Sequence, residues 1–373
     1  MQVFDAELTQ RVIFGNNSIE KLGELIQILG GSRVLIVTDR GIEKTGILAR
    51  AVSALQSTRI AAYVFVDVTP NPTTEDVEAA VAVAKADAPI DLIIGLGGGS
   101  PMDCAKGANF LLTNGGKMED YWGINKAKRP MLPSIGIPTT IGTGSEAQSF
   151  ALIAQQDTHI KMACGDRKAK FGTVILDPTL TETLPRSVAA ATGIDAIAHA
   201  IESFVSTRRN PMSEMFSQHA WRLLDANFEA ALEPKSGTAR SNMLFGAYLA
   251  GLAIENSMLG AAHACANPLT ARYDITHGVA VALMLPHVIR FNNTDAGKFY
   301  RQFHPDGSLA DRIVHLKQIG DLPNTLRACA VQHIITPTDI PILAKEALIQ
   351  WTAQFNPRPL NIKDFTKLYE AAY

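Results

Sequence analysis

Short β-branched runs alternate with longer helical periodicities through the first half of the chain. The runs are RVLIVTD at 33–39, IAAYVFVDV at 60–68, DLIIGLG at 91–97, SIGIPTT at 134–140 and TVILD at 173–177, and helix-like segments fall at Ser18–Leu29, Thr74–Ala86 and Met102–Leu112. Strand, helix, strand in this order predicts a parallel sheet covered by helices. Past DPTLTETLP at 177–185 the pattern changes to Ala, Leu and Met at helical spacing, with HGVAVALML as the remaining strand-like run. A boundary near residue 181 therefore separates an α/β domain, 1–181, from an all-α domain, 182–373. Asn210-Pro211, Asn267-Pro268, Leu285-Pro286 and Asn356-Pro357 are expected to break the helices of the second domain.

The 373 residues suit two domains, and 47% hydrophobic with 19% charged residues is the composition of a compact chain rather than a disordered one. Thirty-four basic residues against 36 acidic ones give a formal charge of −2 with no block of one sign, which leaves no electrostatic footprint for nucleic acid or an anionic membrane. MQVFDAELTQR at the amino terminus lacks the basic flank and apolar run of a secretory signal, and the uncharged stretch Ser257–Ala271 is shorter than the ~18 apolar residues of a membrane span. A cytoplasmic protein with small-molecule chemistry is expected. Cys104, Cys164, Cys265 and Cys329 are widely separated, form no C-x-x-C, and are expected as small buried or partly buried thiols.

GLGGGSPMDCAK at 95–106 follows an apolar strand and opens a helix, where backbone N–H groups and the positive helix end receive a phosphate. Ser100, Pro101 and Asp103 are expected as N-cap, first-turn proline and early acid of that helix. The even spacing of Gly95, Gly97 and Gly99 is not the G-x-G-x-x-G fingerprint, and taken alone the loop also suits a tight turn without ligand. PTTIGTGSE at 138–146 is a second hydroxyl and glycine cluster at a strand end, and two such loops make a cofactor crevice. Asp39, which ends RVLIVTD, suits either a ribose 2′-hydroxyl, favouring NAD over NADP, or an ordinary turn before Gly41.

In TGIDAIAHAIES, Asp195 and His199 stand four residues apart on one helical face. That spacing alone suits a solvated helix pair better than a metal site. His263 and His277 lie in LGAAHACANPLTARYDITHGVAVALML, a stretch apolar enough that an unpartnered imidazole would be costly. Three imidazoles and one carboxylate would suit Fe²⁺ or Zn²⁺ with an open position for substrate oxygen. His219, His287, His304, His315 and His333 are read as core residues bonded to carbonyls, and His159, near Lys161 in an expected hairpin, as structural.

PNPT at 70–73, GGGSPMDCAK at 97–106, PTTIGTGSE at 138–146, DPTLTETLP at 177–185, TGIDAIAHAIE at 192–202, HGVAVALMLPHVIRFN at 277–292 and NPRPL at 356–360 together resemble the iron-containing (group III) alcohol dehydrogenase family along nearly the whole chain. The resemblance implies a dinucleotide-binding α/β domain with a parallel sheet, a helical C-terminal domain (the dehydroquinate synthase-like fold), and an active site in the cleft between them. It implies Asp195, His199, His263 and His277 as metal ligands. For NAD(H) it implies Asp39 at the adenosine ribose, Gly97, Gly98, Gly99 and Ser100 at the pyrophosphate, with Asp103 in the same loop, and Asn71, Thr139, Thr140 and Lys161 as further contacts. Phe150, Ile254, Leu259 and Cys265 are implied as walls of a substrate pocket. Family members commonly carry a second histidine four residues after the third ligand. This chain has Asn267, which hydrogen-bonds but carries no proton near neutral pH.

The activity so implied is hydride transfer between NAD(H) and a small primary alcohol or aldehyde, with a divalent metal as Lewis acid, in a homodimer or larger homo-oligomer. Three other readings stay open: a metal-independent enzyme like maleylacetate reductase, a lyase of the dehydroquinate synthase type, and a non-catalytic NAD-binding regulatory or assembly protein.

Overall fold

The computed structural model describes residues 4–56, 58–86, 89–158, 160–233, 236–329 and 334–373. Its chain packs into two units, one formed by Leu8–Thr140 with Ser145–Thr183 and the other by Leu184–Tyr373 with Ile141–Gly144 and the described residues before Leu8.

The first unit is built on a six-stranded sheet. Its strands are β1 (Arg11–Phe14), β2 (Arg33–Val37), β3 (Ala61–Phe65), β4 (Leu92–Gly97), then, beyond the short β5 (Gly123–Ile124), β6 (Ser134–Pro138), and, beyond β7 (Phe150–Ala154) and β8 (Lys161–Gly165), β9 (Thr173–Leu176). The order is β1-β9-β6-β4-β2-β3, every pairing parallel. Strands β4, β6 and β9 are buried along their whole length, as a parallel sheet covered on both faces requires, and the edge strands β1 and β3 are partly open. The helices of this unit are α1 (Leu22–Ile28), α2 (Arg40–Lys44), α3 (Ile47–Ser53), α4 (Thr74–Lys85) and α5 (Gly99–Asn114). After β2 the chain adds β3 on one side and β4 on the other, so the winding reverses between β2 and β4, where ligands of open α/β sheets bind. Strands β7 and β8 form the expected antiparallel hairpin, with β5 beside β8, and His159 lies outside the described residues.

The second unit is helical: α6 (Arg186–Val205), α7 (Pro211–Ala231), α8 (Gly237–Glu255), α9 (Ala261–Tyr273), α10 (His277–Phe303), α11 (Leu309–Ile319), α12 (Ile340–Leu348) and α13 (Ile362–Ala372). Helix α6 packs against α7, α8 and α10 and is buried around most of its circumference. Among the described residues it alone is long and apolar enough to cross a membrane, yet 89% of that window is buried inside the protein, which marks it as a core helix.

Two sequence expectations are corrected here. The run HGVAVALML is the first part of α10, because an apolar run in a thoroughly buried helix loses the periodicity that separates helix from strand. Pro211 does open a helix, capped by Asn210, but Pro268 and Pro286 sit inside α9 and α10. Each removes one backbone hydrogen bond from a helix that tertiary packing holds in place.

Glu146 is buried beside β6, and burial pushes its carboxyl from the ordinary 4.5 up to about 7, against the pull of its own backbone N–H and of Lys106. A carboxyl that holds its proton more tightly in the folded chain costs stability as pH rises from about 4.5 to about 7. Glu146→Gln is therefore expected to gain up to about 3 kcal/mol over the parent at pH 8 and little at pH 5. Thermal unfolding at the two pH values checks this; a difference independent of pH would contradict it.

Candidate active site

In the first unit the predicted cofactor residues gather at the carboxyl ends of β2, β4 and β6. Asp39 caps α2, its Oδ1 accepting from the Ile42 N–H (2.9 Å), while Oδ2 faces Gly97, 3.5 Å from where a Cβ of that residue would stand. The turn contact thus uses Oδ1 alone and leaves Oδ2 on the Gly97 side. Gly97 has φ +145°, a conformation that L side chains rarely adopt, and its carbonyl accepts from the Thr139 N–H (3.0 Å). Ser100 is corrected: the N-cap of α5 is Gly98, and the Ser100 hydroxyl, inside the first turn, accepts from the Asn71 N–H (3.3 Å). Lys161 Nζ donates to Asn71 Oδ1 (3.4 Å), which joins Ser100, Asn71 and Lys161 in one chain of contacts.

Asp103, expected as an early acid of the helix, stands just past its first turn, and its carboxylate accepts from Ser145 Oγ (2.7 Å). Burial raises its pKa against the charge of Lys106. Lys106 is buried and donates to the Ser145 carbonyl, the Ser145 hydroxyl and the Phe150 carbonyl (2.7, 2.9 and 2.8 Å), which pins PTTIGTGSE to α5. The buried hydroxyls of Thr38, Thr139 and Thr140 have no hydrogen-bond partner among the described residues, so the ends of β2 and β6 offer polar groups with bonding capacity to spare. Thr38 was not singled out from sequence, since an isolated threonine at a strand end carries no signal.

In the second unit three helices bring four side chains together: the ligand atoms of Asp195, His263 and His277 all lie within 4.8 Å of one another, and His199 joins them through Asp195. Asp195 and His199 share a face of α6, His263 lies in the first turn of α9, and His277 is the first residue of α10. Asp195 Oδ1 stands 3.5 Å from His199 Nε2, 3.3 Å from His263 Nε2 and 3.9 Å from His277 Nε2. Ligand atoms held about 2.1 Å from one ion in a tetrahedron are about 3.4 Å apart. Asp195 Oδ1 and His263 Nε2 are both buried and neither makes a hydrogen bond among the described residues, so the donor set suits a cation at its centre. The His277 side chain, 28% exposed, is the most open of the four.

Burial alone would raise the Asp195 carboxyl, but the surrounding imidazoles, His199 foremost, hold it well below the ordinary carboxylate range. Burial lowers His199 to about 4. It acts the same way on His263, where the Glu202 and Asp195 carboxylates together outweigh it and bring the value up to about 9. Glu202, unassigned from sequence, accepts from His263 Nδ1 at 2.5 Å. Its signal was there in TGIDAIAHAIE, three residues after His199 and seven after Asp195, on the face that carries both.

Among the pocket residues, Phe150 opens β7 and packs on Gly165, Ile254 is buried in α8, and Leu259 is half-buried in the turn before α9. Cys265 is fully buried, its carbonyl accepting from the Tyr369 hydroxyl (2.7 Å). Asn267 Nδ2 donates to Gln350 Oε1 (2.9 Å). The other histidines depart from the expected core reading: His219 and His315 are exposed on the solvent faces of α7 and α11, and His287 and His304 are half-buried. His333 lies outside the described residues. The four cysteines are free, three buried and Cys329 partly so.

Residues 9–178 match the model of the iron-containing alcohol dehydrogenases, and residues 189–373 match that of the C-terminal part of the same family. The chain belongs to the iron-containing alcohol dehydrogenase family. It is 32% identical to a 1,3-propanediol dehydrogenase of Klebsiella pneumoniae, an alignment covering 100% of this chain and 99% of the relative. A solved 1,3-propanediol oxidoreductase has a TM-score of 0.95 at 32% identity over 100% of both chains. A sulfoacetaldehyde reductase from Bifidobacterium kashiwanohense, solved in complex with NAD+, has a TM-score of 0.89 at 26% identity over 100% of this chain and 99% of its own. This family member is an oxidoreductase of alcohols and aldehydes.

Gly278, next to His277, lies against the backbone of α6; a Cβ there would stand 2.2 Å from the Ala191 carbonyl oxygen. Backbone cannot yield as a side chain does. Gly278→Ala is expected to lower stability by about 1–3 kcal/mol, although alanine is the better helix former by about 1 kcal/mol, because it lifts the start of α10 off α6. The melting temperature checks this, and a rise would contradict the close approach.

Proposed function

We propose that this chain transfers hydride between NAD(H) and a small primary alcohol or aldehyde, and that Asp195, His199, His263 and His277 hold one divalent ion, Fe²⁺ in the first place with Zn²⁺ as the alternative. The observation that carries the reading is the buried Asp195 oxygen without a hydrogen bond, facing three imidazole nitrogens at 3.3 to 3.9 Å. An ion bound there supplies a Lewis acid for the reacting oxygen, and the bound nicotinamide gives or takes the hydride. The protein's own part is position and polarity. The unbonded Thr38, Thr139 and Thr140 hydroxyls, the α5 amino end after Gly97 and Gly98, and the Asn71–Lys161 pair support a dinucleotide at the ends of β2, β4 and β6. Asp39 Oδ2 beside Gly97 would accept from a ribose hydroxyl and repel a 2′-phosphate, which favours NAD.

Relatives are named for 1,3-propanediol, lactaldehyde and sulfoacetaldehyde, all small and polar beyond the reacting carbon. A short aldehyde of that kind fits this reading, with Ile254, Leu259 and Cys265 of the helical unit as apolar neighbours. A homo-oligomer in a reducing cytoplasm goes with it. Asn267, tied to Gln350, is not a proton donor in this account, so protons pass by water or cofactor hydroxyls. A metal-free reductase would leave the Asp195 cluster without a purpose, and a non-catalytic NAD-binding protein would have no use for it.

With Fe²⁺ restored, NADH oxidation by propanal and lactaldehyde is expected to proceed, to fall at least 100-fold on exhaustive chelation, and to be as low in Asp195→Ala. NADPH should be at least tenfold the poorer coenzyme, and Asp39→Gly should narrow that gap. Full turnover by the chelated enzyme would overturn the metal reading.

A further inference from the structure

Helix α9 starts without a side-chain cap of its own. Its N-cap is Gly260, and the first-turn N–H groups find acceptors brought from elsewhere: Ala261 N–H donates to Asn356 Oδ1 (3.3 Å) and Ala262 N–H to Glu202 Oε1 (2.7 Å). The second oxygen of Glu202 takes the hydrogen bond from His263 Nδ1 at 2.5 Å. One carboxylate on α6 thus holds the backbone of Ala262 and the ring of the next residue. Glu202 and His263 are each 3% exposed. Asn356 is clamped in turn: Asn292 Nδ2 donates to its Oδ1 (2.9 Å), and its Nδ2 donates to Asn292 Oδ1 and to the Arg358 carbonyl (2.7 Å each).

A carboxylate accepts and does not donate, so its contact with Nδ1 requires the proton on that nitrogen. In the neutral ring that an ion binds, the lone pair is then left on Nε2, the nitrogen that faces Asp195 Oδ1 at 3.3 Å. We propose that Glu202 is the positioning residue of the metal centre: it selects the Nδ1–H tautomer of His263, and by capping α9 at Ala262 it sets where that ring stands relative to Asp195 and His199 on α6. The proposal rests on the metal reading above. Glutamine has the same shape but one acceptor oxygen, so it can serve the Ala262 N–H or the His263 Nδ1–H and not both. If its NH₂ group faces Nδ1, the ring must take the other tautomer and turn an N–H toward the ion.

The test is a Co²⁺ titration of metal-stripped full-length protein, read by d–d absorption and by competition with a chelator, on wild type, Glu202→Gln and Asp195→Ala. Glu202→Gln is expected to weaken Co²⁺ binding 10- to 100-fold and to alter the d–d spectrum. A variant with a lower melting temperature but unchanged affinity and spectrum would show a plain helix cap and overturn the proposal. Wild type binding no better than Asp195→Ala would overturn the metal reading itself. Should Glu202→Gln fail to fold, ¹⁵N-histidine spectra of the Zn²⁺-loaded wild type decide. A far-downfield, slowly exchanging Nδ1–H in contact with the Ala262 amide is expected, and a His263 ring protonated at Nε2 would overturn the proposal.

Discussion

A buried carboxylate oxygen that makes no hydrogen bond is the constraint on which the helical unit turns. Asp195 Oδ1 sits in α6, a helix so apolar that an isolated charge there would cost several kcal/mol. Three imidazole nitrogens surround it, and a cation among them would convert the cost into a coordination bond for every member. The helices are arranged to make that meeting possible. Helix α6 gives two residues from one face, α9 and α10 each give one from their first turn, and Gly278 lets α10 approach α6 at backbone contact. Glu202 ties α9 to α6 beside the ligands, so the same helix supplies two of the candidate ligands and the support of a third.

The α/β unit solves a different problem. A dinucleotide needs backbone N–H groups, space without side chains, and hydroxyls that lack other partners. The reversal of winding between β2 and β4 opens the strand ends, the glycines after β4 clear the approach, and the buried Lys106 holds the loop after β6 by its carbonyls. Buried lysines of this kind stabilise only when every proton is matched; here three oxygens accept from Nζ and Asp103 lies 3.7 Å away.

Much of this was legible in the sequence. The strands at 33–37, 92–97, 134–138 and 173–176 stood within the β-branched runs, because parallel strands buried on both faces are nearly continuous in apolar residues. Asp195 and His199 could be placed on one face by spacing alone, whereas His263 and His277 joined the pair through their apolar setting and, decisively, through the resemblance. What stayed illegible follows from distance along the chain. Ser100 looks like an N-cap until Asn71, 29 residues away, claims its hydroxyl, and HGVAVALML looks like a strand until α6 and α9 close around it. His219 and His315 look like core residues only while the solvent side of their helices is unknown. Glu202 had a signal in its helical phase with Asp195 and His199, and its partner His263 lies 61 residues on.

The central claim is that one divalent ion sits at the meeting of α6, α9 and α10. Anomalous scattering at the iron edge from crystals of the iron-loaded protein tests it most directly. The account predicts a single peak about 2.0–2.3 Å from an Asp195 oxygen and from the Nε2 atoms of His199, His263 and His277, with Glu202 outside bonding range. A peak ligated by any other set of side chains, or no peak within reach of Asp195, would contradict it.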